Sequence, residues 1–201
     1  MSVKARKIAI VGSRSVGKSS ITVRFVEDHF IESYYPTIEN QFTKNFKIND
    51  LNYNIEILDT AGQDEFSLLN EKHLIGIHGY LLIYSVTSRQ SFEIIEIIRD
   101  KILNSIGELN MNDDNDNTNS NIGGGRSIPM VLVGNKSDLN YQRQVEFKEG
   151  EELAKKFNCK FLETSVRDNI NVEKSFECLI QEIEKIQNPP PPKQQDKCIL
   201  M

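Results

Sequence analysis

The 201 residues of the chain, 38% hydrophobic and 26% charged, suffice for one ordinary domain and a tail. A net charge of −5 offers nucleic acid no basic stripe, and three cysteines, Cys159, Cys178 and Cys198, lack the number and CxxC spacing of a disulfide framework or structural zinc site. The start MSVKARK does not read as a signal peptide and no apolar run approaches the roughly 18 residues of a membrane span, so a cytosolic chain is expected unless its far end is anchored.

Residues 7–11 (KIAIV) are a near-continuous apolar run and predict a parallel strand buried on both faces. GSRSVGKS at 12–19 follows, fitting the pattern GxxxxGK[ST], and 17–28 has helical spacing. Within 41–59, Tyr53, Ile55 and Ile57 alternate with Asn54 and Glu56, and Asn49 and Asp50 supply a turn. That pattern predicts a hairpin, hence one antiparallel strand at the sheet edge. Residues 80–86 (YLLIYSV) and 130–133 (MVLV) are two further buried strands; 91 to about 106, 146–157 and 171–187 are helical. Strand and helix alternating in this way make a wound α/β sheet. The insertion, about 108–127, is rich in Asn, Asp, Ser and Gly; it cannot offset its own ordering entropy and is expected to be disordered. Residues 1–187 are thus expected to form the domain and 188–201 a flexible proline-rich tail.

Gly12 and Gly17 permit a backbone that turns successive N–H groups inward at a helix start, where an anion is favoured. The stretch Ser13, Arg14, Ser15, Val16, Gly17, Lys18, Ser19 and Ser20 is therefore the expected phosphate cradle. Lys18 reaches the β- and γ-phosphates and the Ser19 hydroxyl ligates Mg²⁺. DTAGQ at 59–63 starts where a strand stops, the place at which an open α/β sheet presents ligands. Asp59 suits the carboxylate that holds Mg²⁺, Gly62 can bring its N–H to the γ-phosphate, and Gln63 can orient the attacking water. In NKSD at 135–138, the Asp138 carboxylate matches the N1–H and exocyclic amine of guanine. Adenine would leave that acid unsatisfied. A glycine turn with a surface lysine, or a plain polar turn, would explain either motif alone, but not both in position together.

The stretches RKIAIVGSRSVGKSS, YPTIEN, LDTAGQDEF, GYLLIYSVTSRQSFE and LVGNKSDL, in this order, resemble the small GTPases of the Ras superfamily and within it the Rheb branch. The resemblance covers residues 4 to about 187 apart from the insertion. It implies the P-loop NTPase fold, three layers α/β/α, with a six-stranded, mostly parallel sheet, one antiparallel edge strand and five helices. It also implies bound GTP or GDP with Mg²⁺. By matching motif, Thr37 is similar to the switch residue that closes on Mg²⁺ and the γ-phosphate, Phe30 to the aromatic flanking guanine, and Tyr34 to the tyrosine lying over the phosphates. Asn135, Lys136 and Asp138 match the base-reading motif; Ser165 and the Val166 backbone match the loop near guanine O6. Gln63, Lys18 and Thr37 then carry catalysis, and Ser19, Thr37 and Asp59 hold the metal. Asn40 and Asp64 resemble the Rheb branch rather than Ras itself.

Three departures stand out: Val166 and Arg167 replace the usual Ala-Lys, Tyr35 replaces the usual Asp, and the insertion is additional. Arg14 stands where most Ras relatives have Gly, as it does in the Rheb branch. Either it reaches the phosphates or it projects outward and crowds the place of an incoming arginine finger. The second is favoured: binding stays intact, hydrolysis slows and Ras-type activators are excluded. A tuberin-type activating protein, which supplies an asparagine, is the implied regulator. Effectors are expected on residues 34–40 in the GTP state, with a TOR-type kinase complex downstream.

Four prolines at 189–192 stop the last helix, and CILM at 198–201 matches C-a-a-X, marking Cys198 as a substrate for farnesyltransferase. One prenyl chain beside Lys193 and Lys197, offset by Asp196, implies weak attachment to the cytoplasmic face of endomembranes, with a cytosolic pool. His29, His73 and His78 share no metal spacing, and Cys159 and Cys178 read as core or near-core thiols. Two rivals remain: a permanently GTP-loaded binding module, and an ATP-dependent P-loop kinase, which NKSD disfavours.

Overall fold

The computed structural model describes residues 3–30, 39–62, 76–111 and 128–187. Its strands are β1 (Lys4–Gly12), β2 (Glu39–Ile48), β3 (Leu51–Thr60), β4 (Gly79–Ser85), β5 (Met130–Asn135) and β6 (Lys160–Thr164). The helices are α1 (Lys18–Glu27), α2 (Arg89–Met111), α3 (Phe147–Phe157) and α4 (Val172–Gln187), with a short 3₁₀ turn at Asn140–Gln142. The fifth helix that the resemblance implies is not found among the described residues.

The strands form one sheet in the order β2-β3-β1-β4-β5-β6. Every neighbouring pair is parallel except β2 with β3. The hairpin between them turns at Asn49 (φ 47°) and Asp50 (φ 64°). Two consecutive left-handed residues give the turn whose twist suits two adjacent strands, and Asn and Asp tolerate that conformation best after Gly. The hairpin that the alternation of Tyr53, Ile55 and Ile57 predicts is present; those residues lie in β3, and its antiparallel partner β2 is the edge strand.

Side-chain alternation along the central strands sorts the core into two layers. Ile8, Ile10, Ile57, Leu81 and Ile83 pack on one face with Ile21 and Phe25 of α1 and Phe176, Leu179 and Ile183 of α4. Ala9, Val11, Leu82 and Tyr84 pack on the other with Ile95, Ile98 and Ile102 of α2 and Ala154 of α3. The result is the three-layer α/β/α arrangement with a six-stranded, mostly parallel sheet. Each fully buried aliphatic side chain contributes about 1.5–3 kcal/mol.

Two elements differ from the sequence expectation. Helix α2 continues to Met111, beyond the expected end near 106 and into the stretch assigned to the insertion. Glu108, Leu109 and Met111 all favour helix, so propensity carries the last turn where an apolar stripe was not evident. Strand β6 has only Phe161 and Leu162 as apolar residues and one fully buried position, too little for a hydrophobic run to announce it. Residues 112–127, like the tail with Cys198, lie outside the described residues. Among the described residues no helix is long and apolar enough to cross a membrane.

Register brings the strand ends to one rim. Ile10 pairs with Asp59, Gly12 with Ile83, Ser85 with Asn135, and Asn135 with Thr164. The motifs at 12–19, 59–62, 135–138 and 163–166 therefore leave the sheet side by side.

Candidate nucleotide site

The loop after β1 is built around two glycines. A Cβ at Gly12 (φ 154°) would lie 2.0 Å from the Ile83 carbonyl oxygen, and one at Gly17 (φ 98°) would lie 2.3 Å from Asn135 Nδ2. Neither position accepts another residue without moving backbone or the base-reading loop. Ser15, between them, also adopts a left-handed conformation (φ 60°). Gly17 caps α1, which has no side-chain cap and no acidic residue in its first turn. Helix α3, by contrast, has a Glu149 carboxylate accepting the Glu146 N–H at 2.9 Å. A helix start without a side-chain cap or an acidic first turn, with its positive dipole end, suits an external anion.

Lys18 is 6% exposed and its Nζ donates to the carbonyls of Gly12 (3.1 Å) and Ser13 (3.0 Å). Burial lowers its pKa to about 8, against the opposing pull of Asp59. Asp59 is fully buried, and neither carboxylate oxygen has a partner at hydrogen-bonding geometry. Burial pushes the Asp59 pKa up; the nearby Ser19 hydroxyl and the Lys18 charge pull it part of the way back. A buried carboxylate without partners is costly unless something positive completes it. An acid oxygen pair beside a serine hydroxyl is a hard-oxygen donor set of the kind Mg²⁺ takes. The residues present therefore fit that ion, and among the described residues Ser19 and Asp59 would hold it.

Beyond Asp59 the chain stays against the loop. Thr60 Oγ1 donates to the Ile10 carbonyl at 2.8 Å. Gly62 lies on Arg14, so closely that a Cβ there would sit 2.3 Å from Arg14 Cγ and 2.6 Å from its Cα. Arg14 and Ser15 are exposed, Val16 is buried, and Ser13, Ser19 and Ser20 are half-buried.

The base-reading end is tied to the phosphate end by side chains. Asn135, 2% exposed, donates Nδ2–H to the Val16 carbonyl (2.9 Å) and accepts from Thr164 Oγ1 (3.1 Å). Lys136, left-handed at φ 67°, donates to the Ser15 carbonyl at 2.7 Å. Its pKa is lowered by burial, with Asp138 opposing. Ser165 donates to Asp138 Oδ1 (2.8 Å) and accepts the Asp168 N–H (3.0 Å), which holds the plane of the Asp138 carboxylate. Val166 is buried behind it and Phe30 is 37% exposed. Tyr34, Thr37 and Gln63 lie outside the described residues, as do Tyr35, Asp64 and His73.

Sequence reasoning passed over Thr164, which fixes Asn135 from the neighbouring strand. Its signal was available in the ETS stretch, as a threonine ending one strand beside an asparagine ending the next. The histidines take ordinary places: His29 is exposed near Glu27, and His78 Nδ1 accepts the Lys7 N–H at 3.0 Å. Cys159 and Cys178 are half-buried, and burial raises Cys159 to about 11.

A phosphate loop at the first strand end, a buried acid at the next and a fixed carboxylate on the far side define a P-loop GTPase. A model of the Ras family matches residues 7–185, and the chain belongs to that family. It is 56% identical over 199 residues to "Small monomeric GTPase RhbA" of Aspergillus fumigatus, covering 98% of this chain and 97% of that one. It is 52% identical over 198 residues to "GTP-binding protein rhb1" of Schizosaccharomyces pombe, with 98% of each chain covered. With "GTP-binding protein Rheb" of Homo sapiens it shares 45% identity over 183 residues, 91% of this chain and 90% of the relative. The protein is a Rheb-like small GTPase, an enzyme that hydrolyses GTP and binds GTP and GDP with Mg²⁺.

Proposed function

We propose that the chain is a slow guanine-nucleotide switch that signals from membranes to a TOR-type kinase complex. The observation that carries slow turnover is Arg14, exposed on the phosphate loop and packed on Gly62. A second cation brought to the same phosphates meets this one first, at a cost from like charge and from crowding. In the proposed reaction Gln63 orients a water for in-line attack, while Lys18 and the loop N–H groups hold charge on the phosphoryl oxygens. Mg²⁺, when bound by Ser19, Thr37 and Asp59, supplies further neutralisation of that charge. Loss of the γ-phosphate releases Thr37 and Gly62, and effectors on residues 34–40 lose their ordered surface.

An activator of tuberin type, bringing an asparagine, suits a pocket that already holds an arginine. Cys198 takes a farnesyl group from farnesyltransferase, and the tail's lysines are too few to make that one chain a stable anchor. The chain therefore divides between the cytoplasmic face of endomembranes and a cytosolic pool. A second reading, a GTP-loaded binding module with negligible turnover, is favoured by Arg14 and opposed by Gln63.

Single-turnover hydrolysis tests both, run on wild type and Arg14→Gly with a Ras-type or a tuberin-type activator. Slow intrinsic turnover, stimulation of wild type by the tuberin type alone, and gained response of Arg14→Gly to the Ras type are expected. An unstimulated, undetectable rate supports the binding module. Recovery of the kinase complex on the GTP form but not the GDP form, and a fully cytosolic Cys198→Ser, complete the test.

A further inference from the structure

We propose that the aliphatic stem of Arg14 is the seat on which Gly62 is held against the phosphate loop. By that contact Arg14 makes the protein prefer nucleoside triphosphate over diphosphate. The inference rests on the guanine-nucleotide reading of the site and adds a positioning role to a residue otherwise considered for its charge.

The geometry lies in three consecutive steps along the chain. Asp59 is fully buried, Thr60 is pinned to Ile10 by its hydroxyl at 2.8 Å, and Gly62 then touches the loop. The three heavy atoms nearest to a Cβ built at Gly62 all belong to Arg14: Cγ at 2.3 Å, Cα at 2.6 Å and Cβ at 2.9 Å. Gly62 therefore faces the stem of Arg14 directly. Two of the three atoms are side-chain carbons, and a glycine at position 14 would remove both.

That contact acts on one ligand more than the other. On the proposed function Gly62 N–H meets a terminal phosphate that the diphosphate lacks, so holding Gly62 near the loop would lower the ordering cost of triphosphate binding alone. Because the contact is through carbon, the guanidinium is dispensable for it. A methionine at position 14 keeps Cβ and Cγ without the charge; alanine keeps Cβ alone, and glycine removes both.

Release rates of a fluorescent GDP and a fluorescent non-hydrolysable GTP analogue, measured with Mg²⁺ on wild type, Arg14→Ala, Arg14→Gly and Arg14→Met, test this. Relative to GDP, the analogue should leave Arg14→Gly about five- to tenfold faster than wild type, the scale of one residue's lost ordering, and Arg14→Ala faster than wild type by a smaller factor. Arg14→Met should keep the wild-type ratio. A ratio unmoved in Arg14→Ala and Arg14→Gly overturns the inference, as does a shift in Arg14→Met equal to that in Arg14→Ala, which would assign the effect to charge. Equal acceleration of both nucleotides also overturns it, since that is general damage to the loop. If wild type held neither guanine nucleotide, the underlying reading of the site would fall instead.

Discussion

Replacing Asp59 by Asn separates the cost of this residue in folding from its use in binding. The carboxylate is fully buried with neither oxygen at hydrogen-bonding geometry, and burial raises its pKa against the nearby Ser19 hydroxyl and Lys18 charge. Leaving such a group without partners costs about 1–3 kcal/mol. The amide still lacks partners but carries no charge, so part of that cost is recovered. Lys18 loses a favourable neighbour, yet keeps its bonds to the Gly12 and Ser13 carbonyls and already sits at about 8. A further downward unit on Lys18 costs about 1.4 kcal/mol. The two effects nearly cancel, leaving between about −0.4 and +1.6 kcal/mol in favour of the variant.

For a chain of this size that corresponds to a Tm lowered by at most about 2 °C or raised by at most about 6 °C in the nucleotide-free protein. Binding should respond oppositely. Chelating Mg²⁺ from wild type should speed GDP release, whereas Asp59→Asn should release GDP fast already and respond about threefold or less, having lost the anionic contact. Thermal melts of nucleotide-free protein and GDP release with and without chelator measure both. A Tm lowered by more than about 4 °C together with an intact chelator response would refute the reasoning, because Asp59 would then be a folding partner rather than an acid kept for a cation.

Thr164→Val removes the donor to Asn135 Oδ1, and the loss of about 1 kcal/mol should speed GDP release about fivefold, read by fluorescent-nucleotide dissociation. Tyr84→Phe deletes a buried hydroxyl that has no partner and is pressed between Gly134 and Gly150; Tm should rise by about 2–4 °C, a gain near 1 kcal/mol. Glu149 is held at about 2, chiefly by Arg89 and then by the Glu146 N–H, below its ordinary 4.5. A depressed acid contributes stability above its unfolded pKa and loses it on acidification, so the gap between wild type and Glu149→Gln in urea titrations should be full above pH 4.5 and close towards pH 2.

The parts of the fold that sequence disclosed are those where one residue type is physically required. Gly12 and Gly17 are visible because no side chain fits beside Ile83 and Asn135. Asn49 and Asp50 are visible because a two-residue hairpin turn demands left-handed residues. Strand β6 was hard to see because an edge strand need bury little, and KFLET buries one residue. The contact of Arg14 with Gly62 could not be read from spacing, and the bond of Thr164 to Asn135 could be read only once the strands carrying them were known to be neighbours. They join loops far apart in sequence, and only the register of the strands brings those loops together.

That register also bears on how the two ends of the pocket cooperate. Asn135 and Lys136 belong to the base-reading motif, yet their side chains end on the carbonyls of Val16 and Ser15 in the phosphate loop. The loop proposed to read the base thus braces the left-handed backbone at Ser15 and its neighbour Val16, and a base that ordered this loop would also stiffen the cradle for phosphate. Guanine selection and phosphate binding are on this account one coupled event. A nucleoside with the wrong base should lose more than the two hydrogen bonds to Asp138, since it forfeits part of the order at α1's uncapped end as well.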